Sequence, residues 1–463
     1  MSAPAIAHRR VLTNTHHPHT PMSRRIHLNL FIHGRGHHEA GWRHPGATPK
    51  PLTDIGYFVD LATRAEAGRF DSVFFADALE LGDSARHVAG GALEPITTLA
   101  ALARETSHIG LIATASTTYT EPYNLARQFA SLDHISAGRV GWNIVTSWVA
   151  GAGPNFGYER TPEHSERYAR ADEFVQIVKA LWDSWADDAI IDDPESGRFL
   201  DRERVRPIDW KGRFYRVAGP LNLPRSPQGW PVLVQAGSSS TGKAFAARHA
   251  EAVFTAHLTK ASAVDFYAEL KHAAVAAGRR AQDVVILPGL SAAIGSTDAQ
   301  AHALLEELNG LTDIEVGLSR LSNRFGGHDF STLALDQPLS RDDFPDPSTV
   351  QAAQSRAATI TDLVARERPT LRSLLRQLAG ARGHFTLAGS PERVADTIED
   401  WVDSRAADGF NVMPPILPMQ LDLFVEHVVP ILQKRGLFRS EYDADTLRGH
   451  YRLARPANPH FPS

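Results

Sequence analysis

The chain of 463 residues predicts an α/β protein built as a (β/α)8 TIM barrel with two insertions. Three observations lead there. Roughly eight short β-rich runs alternate with longer helical patterns from about residue 26 onward, the order a barrel requires. Several of these runs turn polar toward their C-terminal ends, where a barrel gathers its active-site groups. Two stretches, about 186–230 and 310–380, are excursions that a minimal barrel does not need. A doubly wound sheet is the alternative, but it seldom uses so many consecutive βα units.

Taken in order, the first strand lies over 26–32 and leads to a helix over 54–68, closed by Gly68. A strand at 71–77, a helix at 94–105, a strand at 107–117, a helix at 122–134 and a strand at 139–147 follow. The next helix is predicted from Pro162 to Trp185, with Thr161 as cap and Pro162 at the first position, where a missing N–H costs nothing. After the Asp-, Pro-, Arg- and Gly-rich stretch 186–230 come strand 231–237, helix 241–250, strand 252–257, helix 262–278 and strand 284–295. The stretch 310–380 holds a polar, Pro-bearing segment at 336–348 and one helical pattern over 349–379. Such insertions serve as lids over a barrel mouth or as oligomer contacts. A last helix, opening at Ser390-Pro391-Glu392 and stopping at Gly409, leads into FNVMPPIL over 410–417. The expected organisation is a tail over 1–24, one domain over 25–450 and a C-terminal tail over 451–463.

Composition narrows the function classes. Hydrophobic residues make up 43%, charged residues 22%, and the net charge is −5, so nothing electrostatic points to nucleic acid or an anionic membrane. No cysteine is present, which removes disulfides, thiolate metal sites and a cysteine nucleophile. No run of about eighteen apolar residues crosses a membrane. The N-terminal residues lack the apolar stretch of a secretory signal, and the expected location is cytoplasmic. His16, His17 and His19 form a His-rich patch that reads as part of a disordered tail, with adventitious metal binding as the alternative.

The segment QAGSSSTGKA (235–244) mimics a phosphate loop: Gly237, Gly242 and Lys243 match its spacing after a strand and before a helix. Ala244 stands where a hydroxyl must hold Mg²⁺, so an NTPase is not expected. Ser238, Ser239 and Ser240 still lie at a helix start, where free N–H groups and the helix dipole favour a phosphate; simple capping would account for one serine only. His164 and Tyr168, four apart, share a helix face and suit a second side of the same anion, or else form a surface His and a half-buried Tyr. Asp77 ends the second strand as a functional acid or a cap. Thr114 and Ser116 share one face of the third strand, and either could reach the mouth. In SAGRVGWNIVTS (136–147), Asn143 faces inward and Trp142 outward, because neighbouring strand residues face opposite ways.

GHHEAGWRHP (36–45) follows the first strand. Its His37 and His38 lack metal-ligand spacing, and no metal site is expected. No nucleophile elbow or Ser-His-Asp set is apparent, so a cofactor is expected to carry the chemistry. Arg320, Arg324 and Arg356 leave open a polyanionic substrate, although no run of arginines calls for one.

The runs SLDHISAGRVGWNIVTS, GHHEAGWRHP, ATASTTYTEPYNLAR, PEHSERYARADEF and QAGSS, in this order over about 25–450, resemble the bacterial-luciferase-like flavin monooxygenases. The likeness lies with the subgroup of nitrilotriacetate monooxygenase component A and dibenzothiophene-sulfone monooxygenase. The resemblance implies a two-component enzyme that takes FMNH₂ from a separate NAD(P)H:flavin reductase and uses O₂, through a flavin C4a-peroxide, to oxygenate a small organic substrate. It implies that Asp77, Thr114 and Asn143 line the flavin ring and that His164, Tyr168, Ser238 and Ser239 hold the phosphate. His37 or His38 would exchange a proton, and Phe75 with the 310–380 insertion would give apolar cover. A homo-oligomer is expected. An F420-dependent hydride-transfer enzyme and a non-catalytic flavin-binding barrel are the alternatives.

Overall fold

Eight parallel strands close on themselves in a computed structural model that describes residues 25–82, 85, 89–147, 149–160, 162–350 and 354–461. They are β1 (His27–Ile32), β2 (Ser72–Phe75), β3 (Gly110–Ser116), β4 (Val140–Val145), β5 (Val232–Gln235), β6 (Ala252–Thr255), β7 (Val285–Ile294) and β8 (Gly409–Val412). Each pairs with its successor, and β8 also pairs with β1, so the wall of the barrel has no open edge. The fold is the α/β barrel that the alternation predicts. The last strand is shorter than the expected 410–417, because Pro414 and Pro415 have no N–H to offer the ladder.

Alternation along the strands builds two cores. Leu30, Val73, Phe75, Leu111, Trp142 and Ile144 face the helices, whereas Phe31, Phe74, Ile112, Val234, Phe254 and Met413 fill the barrel interior. Trp142 is fully buried on the outer side, against Phe129, Phe174 and Trp182, and its indole N–H donates to the Ala115 carbonyl at 3.2 Å. Phe75, expected as cover for the mouth, packs outward on Phe58 instead; its neighbour Phe74 takes the interior face.

The helical layer comprises α1 (Ile55–Ala67), α2 (Pro95–Glu105), α3 (Pro122–Ile135), α4 (His164–Trp182), α5 (Ser240–His249), α6 (Lys260–Ala276), α7 (Asp298–Gly310), α8 (Ile314–Arg324), α9 (Gln354–Glu367), α10 (Leu371–Ala381) and α11 (Pro391–Asp403). Asp54, Glu94, Thr259 and Ser390 cap their helices by accepting backbone N–H groups, each worth about 1 kcal/mol. Helix α4 begins two residues later than expected. The Pro162 carbonyl accepts from the Arg167 guanidinium at 2.8 Å, and Glu163 is the N-cap residue. Thr161, the expected cap, lies outside the described residues, as do residues 1–24 with His16, His17 and His19.

The first insertion forms two antiparallel pairs, Ile190–Asp193 with Arg198–Leu200 and Trp210–Lys211 with Arg216–Val217. The second carries α8, α9 and α10 around a core of its own, including Leu321, Phe325, Phe330, Ile360 and Leu374. The single pattern expected over 349–379 is divided at Pro369, with Arg368 at φ 47° and Thr370 capping α10. A further parallel strand, Phe385–Gly389, which the sequence reading did not anticipate, pairs with Leu290–Ile294 beyond the barrel wall. The C-terminal segment closes the other end of the barrel: Tyr451 is buried and donates to Asn29 Oδ1 at 2.8 Å. Beside it Asp71 accepts the Leu28 N–H at 2.7 Å, contacts His27 Nδ1 at 3.0 Å and pairs with Arg439. Among the described residues no helix is long and apolar enough to cross a membrane.

Candidate active site

The C-terminal ends of the strands, the start of α4 and the second insertion surround a cavity of about 380 Å³, a volume suited to a small organic ligand. Phe31, Phe74 and Phe254 make an aromatic floor, with ring centroids 4.6, 5.6 and 5.3 Å apart. These rings are successive interior positions of their strands, which places them directly beneath the polar strand ends.

Thr114 and Asn143 stand opposite each other in the β3–β4 register. The Thr114 hydroxyl donates to the Phe75 carbonyl at 2.8 Å, so it can only accept from Asn143 Nδ2, also at 2.8 Å. This fixes the amide and leaves Asn143 Oδ1 a buried acceptor with no partner among the described residues. Gln235 Oε1, at the end of β5, is a second such acceptor, and the sequence reading did not single it out. An unmet buried carbonyl oxygen costs about 1–3 kcal/mol, so two on one cavity wall suit a ligand that brings N–H donors. Ser116 turns away: its hydroxyl oxygen accepts from the Thr118 N–H at 3.1 Å and from the Ser147 hydroxyl at 2.7 Å.

At the other end of this wall, Ser239 is the N-cap of α5 and accepts the Gly242 N–H at 3.1 Å. Ser238 precedes the cap and lines the cavity. The Tyr168 hydroxyl lies where a Cβ on Gly237 or Gly242 would be 3.0 or 3.1 Å away, so both glycines admit it to the helix start. Burial pushes the Tyr168 pKa up, while bonds to Thr146 and Ser239 oppose the shift. The His164 ring lies 4.9 Å from that of Tyr168, and burial, then Arg167, lowers its pKa. Arg167 was not anticipated. It shares the face of His164 at a spacing of three, is 5% exposed, and keeps its Nε–H without a partner among the described residues. Spacing was the available signal, but an arginine in a first helical turn reads equally well as solvated surface.

The loop after β1 wraps the carbonyl of Pro415. A Cβ on Gly36 or Gly41 would lie 2.2 Å from that oxygen, and only glycine allows the approach. His37 is thereby brought to the cavity. Its Nε2–H donates to the Phe31 carbonyl at 2.8 Å, which leaves Nδ1 bare and without a partner among the described residues. Burial, then the charge of Arg382, lowers its pKa to about 3, so it is neutral at physiological pH. His38 is not brought there; its Nδ1 accepts the Ala40 N–H at 3.2 Å and its Nε2 meets Asn309 Oδ1 at 3.3 Å. Asp77 stands exposed at the rim, its carboxyl pKa raised by partial desolvation.

The far side of the cavity, formed by the second insertion, the residues that follow α10 and the turn after β1, is cationic, not apolar as expected. Arg356 and Arg382 line it together with His33 and His384. His384 stacks on Phe254 at 4.8 Å, and its Nε2 lies 3.4 Å from Arg356. Arg382 and His384 carried no local cue in the sequence, since their position depends on how the insertion folds.

Comparison with known proteins adds to this geometry. A family profile described as luciferase-like monooxygenase matches residues 30–408. The chain is 46% identical over 439 residues to N-acetyl-S-(2-succino)cysteine monooxygenase of Bacillus subtilis (strain 168), covering 95% of this chain and 99% of that protein. It is 43% identical over 448 residues to nitrilotriacetate monooxygenase component A of Aminobacter aminovorans, covering 94% and 98%. Among solved structures, a riboflavin lyase with modified FMN and substrate riboflavin matches with a TM-score of 0.82 at 32% identity, over 92% of this chain and 95% of that one.

Proposed function

This chain belongs to the luciferase-like monooxygenase family, and on that premise we propose that it is a two-component FMN-dependent monooxygenase supplied with reduced FMN by a separate NAD(P)H:flavin reductase. The observation that carries the reading is the division of one cavity into an anion end and a ring wall. Ser238, Ser239, Tyr168, His164 and Arg167 meet at the start of α5, while Asn143 and Gln235 offer unmet acceptors beside an aromatic floor. The modified FMN in the riboflavin lyase structure supports the cofactor, and the designation component A of a relative supports a partner protein.

The residues present fit FMN. Its phosphate would be held by the α5 N-terminus, where the helix dipole favours an anion, and by the Arg167 guanidinium and the Tyr168 hydroxyl. Asn143 Oδ1, locked by Thr114, would accept an N–H of the ring. When bound, reduced FMN supplies the electrons with which O₂ delivers one oxygen atom to the substrate and leaves the other as water. The chain contributes position and dryness: Phe31, Phe74 and Phe254 exclude water from beneath the ring. His37 is neutral at physiological pH and its one ring proton is committed to the Phe31 carbonyl, so its place there is as a hydrogen-bond acceptor through Nδ1.

Anaerobic titration with reduced FMN, followed by turnover with a flavin reductase, NADH and O₂, tests the proposal. Binding at micromolar concentration and O₂-dependent oxidation of an added substrate are expected. Preference for F420 without O₂ dependence, or tight binding of oxidised FMN with no turnover of any substrate, would refute it.

A further inference from the structure

Resting on that reading of the cavity, we propose that the substrate is a small organic polyanion with two or more carboxylate-type groups, held by Arg324, Arg356 and Arg382. The three arginines come from separate elements: Arg324 ends α8, Arg356 lies in the first turn of α9, and Arg382 follows α10. They line one recess, and Arg356 and Arg382 also face the main cavity. Glu39, whose charge is felt by Arg324 and Arg382, is already engaged in an ion pair with Arg320. Arg324 and Arg382 form no side-chain hydrogen bond or ion pair with the described residues. Among the described residues the Arg356 guanidinium reaches two neutral partners, the Arg382 carbonyl at 2.8 Å and His384.

Three cations that share a recess without a carboxylate of their own repel one another strongly away from bulk water. Burial, followed by the charge of Arg356, holds Arg324 at about 10, and burial, followed by Arg320, holds Arg382 at about 9; the shared charge of Glu39 opposes both shifts without cancelling them. Arg382 also sits at φ 56°, a left-handed backbone position that favours glycine. Such a cluster is destabilising unless a ligand neutralises it, and guanidinium forks match carboxylates bidentately. Across the cavity the wall is Phe31, Phe74, Phe254 and Met413. The charged ends of the substrate therefore belong with the arginines, and its uncharged, oxidisable part with the aromatic floor.

The test is calorimetric titration of the FMN-loaded protein, oxidised and anaerobically reduced, with succinate, citrate and trimethyl citrate, alongside FMN affinity and melting temperature. Wild type should bind citrate most tightly, succinate less and the ester not at all, with anion affinity falling as salt rises. Arg324→Gln and Arg382→Gln should each lose about tenfold or more in citrate affinity, keep FMN affinity within about twofold, and melt at the same or a higher temperature without ligand. Arg382→Lys, which keeps the charge without the fork, should retain part of the affinity; it serves as the folded control if a glutamine variant does not fold. Ester binding equal to citrate, unchanged citrate affinity in the variants, or no anion binding by a protein that binds FMN would overturn the polyanion assignment and leave the flavin reading standing. Loss of FMN affinity in the arginine variants would overturn it too, by placing the flavin phosphate there. Failure of wild type to bind FMN would refute the flavin reading and this proposal together.

Discussion

Replacing Arg167 by glutamine probes the anion end of the cavity most directly. Among the described residues the guanidinium has one neutral partner, the Pro162 carbonyl at 2.8 Å, and a buried Nε–H without any. A phosphate at that N–H gains a hydrogen bond to a charged group, worth about 1.5–3 kcal/mol. At about 1.4 kcal/mol for each factor of ten, Arg167→Gln should raise the Kd for FMN roughly 10- to 150-fold. The same substitution removes a buried cation whose pKa burial already lowers, so the ligand-free variant should melt at the same or a higher temperature. Flavin fluorescence titration measures the first effect and differential scanning calorimetry the second. The opposed signs separate a ligand-holding arginine from one that only supports the fold. An FMN affinity within about twofold of wild type, or a fall of several degrees in melting temperature, would refute the reasoning.

Tyr168→Phe and Ser238→Ala should each weaken FMN by about 1 kcal/mol, close to fivefold, while leaving riboflavin affinity unchanged because riboflavin has no phosphate; equal losses for both flavins in fluorescence titrations would place the phosphate elsewhere. Asp71→Asn strands Arg439 in the barrel interior and should cost about 3–5 kcal/mol in urea unfolding. Burial raises the Asp71 pKa, but Arg439 and His27 outweigh it and hold the group at about 2. Its folded pKa is thus depressed, and the stability it confers, full above about pH 4, is lost as pH falls toward 2. Burial holds His37, His249 and His257 at about 3, 4 and 4, below their ordinary 6.5. Between those values the unfolded chain binds more protons than the folded one, so stability should fall with pH from about 6.5 to 4, by roughly 1.4 kcal/mol per pH unit per histidine. Urea unfolding over that range, with His257→Gln flattening the slope, checks the sign; a pH-independent stability would contradict it.

What could be read from the sequence depended on how local the cause was. Alternating faces told Asn143 from Trp142, and the βα order told the barrel, because both follow from backbone geometry over a few residues. The serines before α5 and the His164–Tyr168 pair were legible for the same reason. Arg167 obeys the same spacing but carries a residue type that is usually solvated. His38 was paired with His37 by adjacency, and loop geometry then sent the two in different directions. The arginine cluster was legible only in part: Arg324 and Arg356 stood out as residues that leave a polyanion open, but Arg382 and their common recess appear only after α8, α9 and α10 pack together. Pro369, which divides the helical pattern over 349–379, was a local signal that the pattern itself obscured.

The separate core of the second insertion has a consequence for how this enzyme can change. Leu321, Phe325, Ile360 and Leu374 bury one another, with Leu258 after β6 as a contact to the barrel, so the packing of α8–α10 depends little on the side chains that set the strand register. On the proposed reading of the cavity, selection redirects which compound is recognised by rewriting one module, while the barrel that carries it keeps its own core.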